Sequence, residues 1–293
     1  MLLDPECIPC IIKQAYDSAK RFTTDNIELQ FKIVKEACSE VLSIEENSTS
    51  QKFASVIQNI IEKYTGLKNP YKKLKEKNLK EAKRYIPYLE TIVENSYDKL
   101  QMAVRAAIIG NIIDLGANPK FDIEYEVNRI TDNNINLDAL KNFKDDLKNS
   151  NLILYIGDNY EEALFDKILL KQLLPKKIVF AVRSKTILND ITLEDAKELG
   201  IDKICEVMES GSKIAGTDLF QCSSEFLNLF EKADLVIAKG QGNFETLLKV
   251  NRPIYFLFKV KCDVIARRSS LPVGTIALYL NNNKKEVSNA IIN

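Results

Sequence analysis

The chain has 293 residues, of which 45% are hydrophobic and 28% are charged, and its 41 Lys and Arg residues balance its 41 Asp and Glu residues. This composition is typical of a globular protein and excludes disorder as the main state. Because the formal net charge is zero, the chain has no overall field that would attract nucleic acid or an anionic membrane surface. We therefore expect a small molecule as partner, with no nucleic acid and no membrane, and the sequence leaves the oligomeric state open.

Histidine is absent from the whole sequence. This absence excludes a His-based catalytic triad, an imidazole general base and an imidazole metal ligand. A bound metal ion would depend mainly on oxygen ligands, which favours hard or borderline divalent ions over a zinc ion held by histidines.

The beginning of the chain and its cysteines favour a cytoplasmic protein. Asp4 and Glu6 lie where a secretion signal would carry positive charge followed by an apolar stretch. No uninterrupted apolar run approaches the ~18 residues that are needed to span a bilayer. The six Cys residues are too sparse for a disulfide scaffold, so we expect reduced thiols.

The first half of the chain carries apolar residues at the spacing of amphipathic helices, as in Ile57, Ile60, Ile61 and Tyr64. Glycine and proline are sparse in this half, whereas Lys, Glu, Leu and Ala are frequent, which suits a set of packed helices. We predict a helical domain over residues 1–148.

After residue 149 the pattern changes to short apolar runs rich in β-branched residues. The runs cover residues 152–156, 177–182, 235–238 and 254–258, and helical candidates lie over 161–173, 193–199 and 223–232. Runs that are apolar throughout are typical of strands buried on both faces of a parallel sheet. The sequence therefore predicts an α/β sheet domain over residues 149–293.

Polar residues follow each of the four predicted strands. In chain order they are Asp158 and Asn159 after the first, Arg183, Asn189 and Asp190 after the second, Lys239, Gly240, Gly242 and Asn243 after the third, and Lys261 after the fourth. The carboxyl ends of parallel strands meet at one edge of a sheet, where ligands bind. We interpret the carboxylates as candidate ligands of a divalent cation, and the lysines with the Gly-rich main chain as a candidate phosphate site.

Simpler interpretations of these residues stay open. The polar pairs after the first and second runs could each cap the helix that follows, because Asp and Asn are common N-caps. Lys239 and Lys261 could be surface lysines, since Lys is mostly exposed. Cys7 and Cys10 form a CxxC pair without a second pair or a histidine, so we predict two small buried side chains. The basic stretch 72–84 is interpreted as a solvated helix face.

Taken in order, several motifs resemble the metal-dependent damage-control phosphatase family, long catalogued as a domain of unknown function. The motifs contain Gly157, Asp158, Asn159, Glu162 and Asp166; Asn189, Asp190, Thr192 and Asp195; residues 239–243; Cys7, Cys10 and Gln14; Arg105, Gly110, Asn111 and Asp114; and residues 257–262. The last three are similar to the archaeal and bacterial branch. The resemblance implies an α/β protein in which a helical N-terminal domain packs against a Rossmann-like parallel sheet domain, with the site in the cleft between them.

The resemblance also implies roles for individual residues. Asp158, Asn159 and Asp190 would hold the metal ion, which is expected to be Mn²⁺, Co²⁺ or Ni²⁺, with Mg²⁺ as a further candidate. As a carboxylate beside the metal, Asp158 is also our candidate nucleophile or general base. Lys239 would act in catalysis by binding the phosphate, and Lys261 would be a second basic contact. The predicted substrate-binding set is completed by Gly240, Gly242, Asn243, Arg183 and Asn111.

A few positions depart from the family pattern. Glu161 stands where the family often has Gly, and after the arginine Ser184 and Thr186 or Lys185 stand where a Gly and a Pro are usual. These changes affect the substrate-facing loops and leave the proposed ligands intact.

We predict a metal-dependent phosphoric monoester hydrolase that acts on small phosphorylated metabolites such as sugar phosphates or damaged metabolites. The alternatives are a non-catalytic nucleotide- or cofactor-binding module and a methyltransferase on the same kind of sheet.

Overall fold

The first half of the described chain is helical. The computed structural model describes residues 3–44, 48–110, 127, 130–131 and 135–281. The helices of this half are α1 (Cys7–Thr23), α2 (Ile27–Leu42), α3 (Ser50–Thr65), α4 (Lys72–Lys83), α5 (Ile86–Asn95) and α6 (Lys99–Gly110). Asn26 and Thr49 fix the starts of α2 and α3, because each side chain accepts a hydrogen bond from a main-chain N–H of the first turn. Apolar side chains of α1, α2 and α3 form a cluster of their own.

The second half of the described chain alternates helices and strands around a seven-stranded sheet. The strands are β1 (Ile135–Asn136), β2 (Leu152–Ile156), β3 (Lys177–Val182), β4 (Glu206–Glu209), β5 (Leu235–Lys239), β6 (Tyr255–Lys259) and β7 (Ile276–Leu280). The helices are α7 (Leu140–Asn149), α8 (Ala163–Leu173), α9 (Leu193–Glu198), α10 (Ser224–Lys232), α11 (Gly240–Leu247) and α12 (Asp263–Ser269). The order across the sheet is β1-β7-β6-β5-β2-β3-β4.

The strand order places a switch point between β2 and β5. From β2 the chain builds β3 and β4 on one side, and it then crosses to build β5 and β6 on the other. These five strands are parallel, β7 is antiparallel to β6, and β1 is parallel to β7. Ile156 is level with Ala181 of β3 and with Ala238 of β5. The residues that follow these three strands therefore meet at one edge, where a crevice opens in sheets of this topology.

The core lies on both faces of the sheet. Successive residues of a strand point to opposite faces. In β2, Ile153 and Tyr155 join the large cluster that contains α6 and α8, whereas Leu154 and Ile156 join the cluster that contains α10 and α11. Each fully buried apolar side chain contributes about 2 kcal/mol. This two-sided burial explains why the strands are apolar throughout.

The α/β fold with a mostly parallel sheet is confirmed, and the four predicted strands form within a residue or two of their predicted bounds. Three further strands, β1, β4 and β7, were not predicted. The division at residue 148 stays a prediction. β1 lies before that boundary and joins the sheet, and the large cluster combines α6 with strands of the second half. Among the described residues, no helix is long and apolar enough to cross a membrane.

Candidate active site

The loops that follow β2 and β3 are held together by main-chain hydrogen bonds. Asn159 and Asp190 form an isolated antiparallel bridge. The N–H of Ile191 donates to the carbonyl oxygen of Asp158 at 2.8 Å. The three predicted metal ligands are therefore brought together from two separate loops.

Neighbouring side chains orient these three groups. Nδ2 of Asn159 donates to Oε1 of Glu162, which leaves Oδ1 of the amide as the ligand atom. Nε of Arg183 donates to Oδ2 of Asp190 at 2.8 Å. Nη2 of the same guanidinium lies 3.5 Å from Oδ1 of Asp158. Arg183 thus links the two carboxylates.

Negative charge accumulates at this point of the structure. Burial raises the pKa of Asp158 well above its usual value, Asp190 and Glu162 raise it further, and Arg183 and Lys261 oppose the rise. Burial also raises the pKa of Asp190, with Arg183 opposing it. A divalent cation would neutralise this charge. Within the described part of the chain, no three Cys, Asp or Glu side chains are grouped to hold a metal ion. An ion at this place would therefore depend on two carboxylates, one amide oxygen and oxygen from water or substrate.

Arg183 is buried against the carboxylates of Asp158 and Asp190. Only 1% of its side chain is exposed. Besides its contacts with Asp158 and Asp190, it donates to Oγ1 of Thr217 at 3.3 Å and to Oδ1 of Asn243 at 3.1 Å. The structure therefore favours a role in holding the two aspartates over the phosphate contact that we predicted for Arg183.

Lys239 at the end of β5 is fully buried. Its Nζ donates to Oδ1 of Asp166 at 2.6 Å and to Oε2 of Glu162 at 3.3 Å. Burial alone would lower the pKa of Lys239, but Asp166 and Glu162 hold it above its usual value. The ammonium is thus engaged by two carboxylates that follow β2. Glu162 in turn accepts a hydrogen bond from Asn159, so Glu162 connects Lys239 to a proposed metal ligand. This geometry favours a positioning role over the direct phosphate contact that we predicted.

Gly240 allows Asp158 to lie against the start of α11. Its φ is +78°, in the left-handed region, and a Cβ added there would lie 1.8 Å from Oδ2 of Asp158. A Cβ on Gly242 would lie 2.5 Å from the carbonyl oxygen of Ala215. Gly240 therefore lies beside the carboxylate of Asp158, and its phosphate contact stays a prediction. Gly242 instead permits close packing against the loop that contains Ala215, so the predicted phosphate contact of Gly242 is not favoured.

Asn243 has every hydrogen-bonding position of its side chain occupied. Nδ2 donates to the carbonyl oxygens of Gly157 at 3.1 Å and Lys239 at 2.6 Å. Oδ1 accepts from Arg183 and from Thr217. An amide that has used two donors and two acceptors has none left for a substrate. Asn243 therefore joins the ends of β2, β3 and β5, and the predicted phosphate contact is not favoured.

Lys261 follows β6 on the exposed side of the crevice. Its main-chain N–H donates to Oε1 of Gln241 at 2.9 Å, which fixes the loop against α11. Its ammonium lies close enough to Asp158 to oppose the rise of that carboxyl pKa. The contact of Lys261 with a phosphate stays a prediction. Asn111, the remaining predicted phosphate ligand, lies outside the described residues.

Two predictions about the helical half are wrong in part. The stretch 72–84 contains α4, but Lys75 and Asn78 are buried together with Leu79 and Ala82. These residues have the spacing of a buried helical stripe, and this spacing could have predicted that one face of α4 is buried. Cys10 is exposed and Cys7 is only partly buried, because the buried face of α1 begins at Ile11.

The chain is similar in sequence and in structure to known proteins. The model of the damage-control phosphatase ARMT1-like domain matches residues 3–276. The chain is 38% identical over 284 residues to an uncharacterized protein of Methanocaldococcus jannaschii, MJ0202, with 93% of each chain covered. It is 32% identical over 290 residues to the damage-control phosphatase PH1575 of Pyrococcus horikoshii, covering 97% of this chain and 100% of that one. The crystal structure of PH1575, a DUF89 family protein, is similar with a TM-score of 0.85 at 31% identity, covering 96% of this chain and 100% of that one.

Proposed function

The chain belongs to the damage-control phosphatase family, and we propose that it is a divalent-metal-dependent hydrolase of phosphate monoesters. Its proposed substrates are small phosphorylated metabolites, such as sugar phosphates or damaged metabolites. The observation that carries the proposal is the bridge between the loops after β2 and β3. It brings Asp158, Asn159 and Asp190 together, and the charge of Lys261 acts on Asp158.

The donor set fits a divalent cation. Two carboxylates and one amide oxygen are hard ligands, and this set leaves positions for water and a phosphate oxygen. The burial of the carboxylates beside Glu162 supports the same conclusion, because it leaves negative charge that Arg183 offsets only in part. Asp158, Asn159 and Asp190 would hold the ion. When bound, the ion would polarise the phosphoryl group and activate a water molecule.

Asp158 and the residues around the ligand set have separate roles in the proposed reaction. Asp158 is the more exposed of the two aspartates, with 12% of its side-chain surface accessible against 4% for Asp190. Asp158 therefore reaches the phosphate, as nucleophile or general base. The exposed ammonium of Lys261 and the N-terminal end of α11 neutralise charge on the phosphoryl oxygens. Arg183 holds Asp158 and Asp190 in place, and Lys239 holds Glu162, the partner of Asn159.

The proposal is tested by the release of inorganic phosphate from a panel of sugar phosphates. The protein is treated with a chelator and then assayed with Mn²⁺, Co²⁺, Ni²⁺ or Mg²⁺. We expect turnover only with an added ion. Asp158→Asn should reduce it by about 100-fold or more, because this change removes a ligand charge and the reacting carboxylate together.

A matched control is Glu28→Gln, which removes an exposed carboxylate on α2 that pairs with Lys32. It should leave turnover unchanged. Turnover that persists after chelation would reject the metal dependence. Absence of turnover with every ion and ester would favour the non-catalytic binding module instead.

A further inference from the structure

Helix α4 contributes two buried polar side chains to the α/β half of the protein. Lys75 is 5% exposed and Asn78 is fully buried. The two lie three residues apart, so they share one face of the helix. The exposed lysines of α4, such as Lys77, lie on other faces.

The ammonium of Lys75 contacts the loop that carries Asp190. Nζ donates to the main-chain carbonyl oxygen of Asp190 at 3.1 Å. It also forms an ion pair with Oδ2 of Asp195 at 2.5 Å and lies 4.9 Å from the centroid of the Tyr160 ring. Asp195 and Thr192 form the capping box at the start of α9. Lys75 therefore joins a proposed ligand residue to the start of the following helix.

Asn78 contacts the neighbouring loop in a similar way. Its Nδ2 donates to Oε1 of Glu161 at 3.0 Å. The same oxygen accepts from Nδ2 of Asn189 at 2.9 Å. Through Lys75 and Asn78, α4 therefore binds both the loop after β3 and the loop after β2, which fixes the position of one loop relative to the other.

We propose that Lys75 is a positioning residue of the metal site. Its hydrogen bond to the carbonyl of Asp190 fixes the main chain from which that ligand side chain enters the site. This inference rests on the proposed metal-dependent function. A purely structural role would require only the ion pair with Asp195, which would neutralise the buried ammonium of Lys75.

Simple electrostatics predicts the opposite effect of removing Lys75. Loss of one positive charge near a cation site should strengthen cation binding. If the hydrogen bond to Asp190 matters more, binding should weaken instead. The double variant Lys75→Met/Asp195→Asn removes both charges of the ion pair, so the hydrogen bond to Asp190 is lost without a change in net charge.

The test is calorimetric titration of the full chain with Mn²⁺, which measures affinity without substrate. The parent, Lys75→Met, the double variant and the control Lys77→Met are compared, and circular dichroism verifies that each is folded. We expect the double variant to bind Mn²⁺ about 10-fold more weakly, with unchanged stoichiometry, as is common when a partner of a metal ligand is removed. Lys75→Met should also bind more weakly, and Lys77→Met should match the parent.

The outcomes separate this inference from the proposed function. Unchanged or tighter binding by the double variant, with the parent binding Mn²⁺, would overturn the role of Lys75 and leave the metal site standing. A lower stoichiometry at unchanged affinity would show a merely structural role and would also overturn it. If the double variant does not fold, the affinity of Lys75→Met decides. Absence of Mn²⁺ binding by the parent would reject the metal site and, with it, this inference.

Discussion

Gly240→Ala tests whether the site needs Asp158 to lie directly against the start of α11. A Cβ at this position would lie 1.8 Å from Oδ2 and 2.4 Å from Cγ of Asp158. Real Cβ contacts are essentially never shorter than 3.0 Å, so the carboxylate would have to retreat by about 1.2 Å. Asp158 is a proposed metal ligand and the proposed reacting carboxylate, and both functions depend on its position.

The expected effect has two components. A displacement of about 1 Å at a reacting centre can lower turnover by about 100-fold, or about 3 kcal/mol of activation free energy. The φ of +78° adds about 1–2 kcal/mol of strain for Ala, which lowers the free energy of unfolding. We therefore expect a large loss of turnover with a modest loss of stability.

Gly66→Ala is the matched control. Gly66 ends α3 with a φ of +71°, and nothing lies within 4 Å of an added Cβ. It should therefore show the same backbone strain without any displacement of a site residue. The assay is Mn²⁺-dependent phosphate release, with urea unfolding measured in parallel. Equal turnover of Gly240→Ala and Gly66→Ala would refute the reasoning.

Three further predictions concern charged residues of the site. Lys239→Met should lower the free energy of unfolding by about 3–5 kcal/mol as well as turnover, because it leaves Asp166 and Glu162 buried without their cation; unchanged stability in urea would contradict the positioning role. Burial raises the pKa of Glu161 from 4.5 to about 8, so the folded protein retains a proton that the unfolded chain releases, and stability should fall as the pH rises between these values. Glu161→Gln should remove this part of the pH dependence of urea unfolding, and an unaltered dependence would show that another group is responsible. Lys261→Ala should raise the KM for phosphate esters with an unchanged melting temperature; an unchanged KM would place the phosphate elsewhere.

The sheet could be predicted where its strands are buried on both faces. β2, β3, β5 and β6 lie in the middle of the sheet, and their apolar runs are visible in the sequence. β4 lies at one edge of the sheet, and its four residues are only partly buried or exposed, so it has no comparable run. β1 has two residues, too few for any periodic pattern.

The sequence predicted which charged residues lie at the site better than it predicted which of them contact one another. Carboxylates follow β2 and β3, and lysines follow β5 and β6, which suggested a cation site formed by the first two strands and a phosphate site formed by the last two. The strand order places β5 beside β2, however, and Lys239 therefore meets Glu162 and Asp166. This neighbourhood is a property of the sheet order, and no local pattern of residues reports it.

The sequence did not predict the burial of Lys75 for a different reason. Lys is mostly exposed, and α4 carries several exposed lysines around it. Its partners Asp190 and Asp195 lie more than a hundred residues away in the chain. Only the packing of α4 against the loops of the sheet distinguishes Lys75 from its neighbours.

The most direct test of the account is the position of a bound ion. Crystals of the protein grown with Mn²⁺ would be measured for anomalous scattering at a wavelength where manganese contributes strongly. We expect a single strong peak between the loops after β2 and β3, with oxygen ligands from Asp158, Asn159 and Asp190. A peak elsewhere in the protein, or no peak under conditions in which Mn²⁺ stimulates phosphate release, would contradict the proposed metal site.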